Sequence, residues 1–120
     1  ENELTSEKAK QICLEYMGES FTFLNPQKLI EPLWKFSSSL LENKENYSQL
    51  INILMHLAGM FERALRQDTL IAPQKELKLT EQTERFQQLE QALNILSGTF
   101  QIEMPQDEIY YLEQLLAYQE

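Results

Sequence analysis

The chain has 120 residues, 42% of them hydrophobic, and ten Lys and Arg against nineteen Asp and Glu, a net charge of −9. Such length suits one domain, predicted over residues 1–120, with about two thirds of its unfolded surface buried. So acidic a domain repels phosphate and anionic lipid, which argues against direct nucleic-acid contact, and no apolar run approaches the roughly 18 residues of a membrane span.

A single cysteine, Cys13, excludes an internal disulfide and fits a reducing, cytoplasmic compartment. No secretory signal is visible, and the chain starts in the polar run ENELTSEK rather than at a methionine. We therefore expect a domain excised from a longer cytoplasmic protein. Glycine is scarce, and Leu, Glu, Gln, Lys and Ala dominate, which favours helices.

In chain order, a first helix is predicted over 5–17, capped by Thr5 or Ser6, with Ala9, Ile12, Cys13, Tyr16 and Met17 inward and Gly18 as its stop. Phe21, Phe23 and Leu24 follow in a loop and are expected to pack inward. Residues 26–43 read as a second helical region. Pro32 there implies a kink or a restart, because proline lacks the amide and crowds the turn before it. Its expected buried residues include Leu29, Leu33, Trp34, Phe36, Leu40 and Leu41. A polar turn at 43–47 leads into a long helix from Leu50 to about Gln67. Its apolar residues Leu50, Leu54, Leu57, Phe61, Ala64 and Leu65 recur at helical steps.

Residues 68–79 read as a long connection containing Pro73. Thr80 is expected to cap a fourth helix with Phe86, Leu89, Leu93 and Leu96 inward, ended by Gly98. Pro105 opens the last, over 105–118, with Asp107 and Glu108 at its positive end and Ile109, Leu112, Leu115 and Leu116 inward. The expectation is an all-α fold, a single compact bundle of about five helices.

No catalytic constellation appears: no HExxH, no glycine-rich phosphate loop, no cysteine pair at metal spacing. Neither an enzyme nor a cofactor is expected. The notable feature is His56, the only histidine, which on a helix shares a strip with Ile53, Gly59, Met60 and Arg63. Gly59 costs roughly 1 kcal/mol mid-helix, which suggests a close approach there. Arg63 offers a planar fork suited to phosphate or carboxylate.

The run His56-Leu-Ala-Gly-Met-Phe-Glu-Arg63, continuing to Leu65 and Leu70, resembles the central helix of the phosphotransferase-system regulation domain. Met104-Pro-Gln-Asp-Glu-Ile-Tyr-Tyr-Leu112 resembles that family's last helix, and the resemblance extends over roughly Phe23 to Tyr118. It implies a regulatory domain of a bacterial transcription regulator, usually a homodimer, switched by phosphorylation of a histidine. The implied donor is a phosphocarrier or permease subunit of the phosphotransferase system. His56 matches the family's first histidine and Arg63 the arginine after it. Arg63 and, by spacing, Arg66 are the candidates to contact the phosphoryl group. Leu115 stands where many members carry a second histidine. Two alternatives are a structural dimerisation module with His56 inert, and a small-molecule sensor around Trp34, Phe61 and Tyr110.

Overall fold

A computed structural model describes residues 3–118 of the chain. Among the described residues there are six helices and no strand: α1 (Ser6–Ser20), α2 (Pro26–Ser39), α3 (Tyr47–Leu65), α4 (Gln74–Thr80), α5 (Glu84–Thr99) and α6 (Gln106–Ala117). The all-α expectation holds, with one helix more than the five predicted. Backbone contacts group the chain into two units, Glu1–Glu62 and Arg63–Glu120.

In the first unit, Thr5 caps α1 by accepting from the Lys8 amide. Ala9, Cys13 and Met17 form the buried stripe of α1, one residue per turn, so its inward face is narrower than predicted. Ile12 and Tyr16 stay exposed, and Tyr16 meets Phe21 edge-on at 5.6 Å. The helix runs through Gly18, where the sequence suggested a stop. Asn25 caps α2 and Pro26 occupies its first turn. Pro32 then lies inside an unbroken helix, neither restarting it nor ending it. The missing amide removes the bond to the carbonyl of Lys28, which is an exposed residue.

Trp34 is half-buried, stacked on Tyr47 with centroids 6.2 Å apart and covered by Lys10, which also pairs with Glu31. Asn46 starts α3 by accepting from the Gln49 amide. From Leu50 onward α3 buries a wide face, including Ile53, Leu54, Leu57, Gly59, Met60 and Phe61.

Burial pushes the Cys13 thiol up to about 11, because a thiolate would lose its hydration there. A raised value means that the neutral thiol stabilises the fold fully below pH ~9, and that this contribution is lost as pH rises to ~11. Cys13→Ala should therefore cost about 1–2 kcal/mol at neutral pH. That deficit should shrink or reverse between pH 9 and 11, as read by urea unfolding at each pH.

In the second unit, α6 packs against both α4 and α5. Phe86, Leu89 and Leu93 of α5, and Ile109, Tyr110 and Leu112 of α6, supply much of the buried surface. Three expectations are corrected here. The predicted connection over 68–79 contains α4, set off by Pro73 and burying only Leu77. A seven-residue helix makes about two turns, and with one buried residue it shows no apolar repeat. Consequently Thr80 ends α4, and Thr83 caps α5 by accepting from the Phe86 amide. Leu115 and Leu116 are half-exposed, whereas Glu108 and Glu113 are buried.

Both α3 and α5 end in the same way, and on an unusual residue. Gln67 and Gln101 each have φ of 58°. The Gln67 amide donates to the Ala64 carbonyl and the Asp68 amide to the Arg63 carbonyl; the Gln101 and Ile102 amides repeat this on Gly98 and Ser97. This left-handed helix ending ordinarily uses glycine, since a Cβ there costs on the order of 1 kcal/mol. Gly98, the predicted stop, lies inside α5 instead. Gln67→Gly and Gln101→Gly should each raise stability by about 0.5–1 kcal/mol, seen as a Tm higher by a few degrees.

Candidate functional site

His56 lies in the middle of α3, half-buried, with its Nε2 shielded from solvent. Gly59, three residues on, is buried. Arg63 falls in the last turn of the same helix, where a cation also meets the negative end of the helix dipole.

The predicted use of Arg63, an anion held by a planar fork, has an occupant already in the chain. Its Nε and a terminal guanidinium nitrogen donate to the two oxygens of Glu108, each at 2.8 Å. Glu108 is fully buried, while the Arg63 side chain is 22% exposed. This hydrogen bond, aided by the charge of Glu108, holds the guanidinium more firmly protonated than usual, against the opposing effect of burial. One Glu108 oxygen also accepts from the Leu70 amide at 2.8 Å. Asp107 accepts from the Ala72 amide and from Gln74, and the Tyr111 hydroxyl donates to the Ile71 carbonyl. Asp107, Glu108 and Tyr111 of α6 thus hold the chain after α3 at four residues, Leu70, Ile71, Ala72 and Gln74. Arg66 is exposed, with its Nε 3.7 Å from Asp68.

Sequence reasoning missed the role of Glu108. It assigned Asp107 and Glu108 to the positive end of a helix, which they do occupy. What it could not show is that one of them is buried beneath the only cation of the last turn of α3. Glu62 was missed as well, since the apolar periodicity of the helix assigns it no role. It is 2% exposed and accepts from the backbone amides of Thr22, Phe23 and Leu24 at 2.9–3.1 Å. That carboxylate, rather than inward packing of three apolar side chains, pins the loop before α2. Leu24 alone of the three is buried, and Phe23 is 59% exposed.

Phe61 and Tyr110, two of the three aromatic residues suggested for a sensor pocket, are buried. A groove in the second unit is lined by other residues. No group of three or more potential metal ligands occurs among the described residues, and none of their helices is long and apolar enough to cross a membrane.

A family model described as PRD domain matches residues 31–119. No curated protein and no solved structure matches the chain.

Proposed function

The chain belongs to the PRD family, and from that premise we propose that it is a phosphorylation-controlled domain of a bacterial transcription regulator, with His56 as the phosphoryl acceptor. The regulatory role is that of the family. The finer reading rests on one observation: the sole histidine lies mid-helix within the matched region, with its ring only partly covered.

In the proposed step a neutral imidazole nitrogen of His56 attacks a phosphohistidine of a phosphotransferase-system phosphocarrier or permease subunit. One N–P bond forms as the donor's N–P bond breaks, and the proton shed by the second ring nitrogen of His56 is made up, through water, on the leaving imidazole of the donor. The product brings about two negative charges to a chain already at −9. By helical spacing, Arg63 and Arg66 are its proposed counter-charges. Arg63 would have to share its guanidinium with Glu108, so phosphorylation would compete with the grip on the Leu70 segment. The added charge would then shift the pairing of two copies of the domain, which is the output of the switch.

The test is phosphoryl transfer to the whole chain from the general phosphotransferase proteins and phosphoenolpyruvate, with and without permease subunits, followed by intact mass and sedimentation. We expect one phosphoryl adduct, absent in His56→Ala, and a change in the monomer–dimer distribution. The shielding of Nε2 favours one other reading, a dimerisation module in which His56 is inert. No adduct with any donor, together with a dimer that ignores His56→Ala, would establish that reading instead.

A further inference from the structure

The second unit carries a groove of about 890 Å³ between the end of α3, the outer side of α5 and the link from α5 to α6. Both left-handed glutamines, Gln67 and Gln101, line it, together with Asn94 and Glu103 and the apolar Leu65 and Met104. Glycine would serve either helix ending at lower backbone cost. Two such strained residues facing one groove match the pattern in which strain is retained for the sake of a site. What glutamine adds over glycine is a carboxamide, and Gln67, Asn94 and Gln101 all line this one groove.

The electrostatics choose the ligand. No Lys or Arg occurs among the lining residues, and Glu103 is an exposed carboxylate. α5 ends at the groove with no basic residue in its last turn, so the negative end of its dipole is uncompensated there. Arg63, the last-turn cation of α3, is neutralised by Glu108. No aromatic ring lines the groove, so a sugar face has nothing to stack on. Carboxamide oxygens and a carboxylate suit ammonium donors, and the apolar wall suits the methylenes between them.

We propose that this groove binds a linear aliphatic polyamine, its ammonium groups held by Glu103 and the carboxamides of Gln67, Asn94 and Gln101, and its methylenes lying along Leu65 and Met104. This site is independent of phosphorylation at His56. Binding there would tie the end of α3 to the α5–α6 link.

The test is titration of the isotope-labelled whole chain with spermidine at constant ionic strength, followed by amide NMR, with magnesium as the second cation. We expect saturable shifts centred on residues 65–69 and 94–105, absent with magnesium. Glu103→Lys and Asn94→Lys, both at exposed positions, should weaken affinity at least about tenfold. Gln101→Gly should weaken it while raising Tm, a divergence that a purely structural role cannot produce. Shifts spread over the acidic surface and shared with magnesium would overturn the proposal. So would variants that bind as tightly as the parent chain, or the absence of any saturable shift.

Discussion

Glu108→Ala is expected to lower stability by about 3–5 kcal/mol, the range for removing one partner of a buried ion pair. The loss has two parts. Arg63, mostly covered, keeps its charge without the carboxylate that balanced it. The Leu70 amide loses its acceptor. A small domain has only about 5–15 kcal/mol in hand, so the loss takes from about a fifth to all of it. Arg63→Ala should cost a similar amount, since it strands a carboxylate that has no solvent access. A double-mutant cycle between the two, run by urea unfolding, should return a coupling of about 2–3 kcal/mol. A coupling under about 0.5 kcal/mol would place the pair with surface salt bridges and refute the account.

The second large effect is expected at Glu62. Its carboxylate is the acceptor for three successive backbone amides, and each bond is charge-assisted. Glu62→Ala leaves the loop amides to find water or go unserved, at a cost of about 3 kcal/mol. Glu62→Gln should be nearly as harmful. The amide offers one acceptor oxygen in place of two and turns an NH₂ donor toward other donors. Hydrogen exchange at Thr22, Phe23 and Leu24 should accelerate in both variants well before exchange in α1 does. Unchanged protection at those three amides would mean that the loop is held by something other than Glu62.

These two carboxylates also mark the limit of what the sequence discloses. The helices were legible because burial repeats at 3.6 residues, and α2, α3, α5 and α6 lie within a few residues of their predicted places. α4 escaped because one buried leucine makes no pattern. Gly18 and Gly98 looked like helix ends because glycine is common there. A left-handed φ is a property of the backbone, and at Gln67 and Gln101 tertiary structure imposes it on residues that do not favour it. Within the candidate site, His56, Gly59 and Arg63 were legible from spacing on one helix. Arg63 was read as the holder of an anion carried by His56. Its anion proved to be Glu108, 45 positions away, and periodicity carries no information about pairs at that separation.

The same separations bear on the order in which the chain folds. Glu62 reaches back 38–40 residues to its loop, and Arg63 reaches forward 45 to Glu108. Closing such loops costs entropy that grows with the logarithm of length, whereas each helix closes turns of four residues on a far shorter timescale. Adjacent residues on α3 therefore complete their bonds late, after the helices they join have formed. Lesions at either position fall mainly on the lifetime of the folded state, and the rate of reaching it changes little. Two neighbouring side chains of opposite charge are thus expected to act on how long this domain stays folded, more than on how fast it folds.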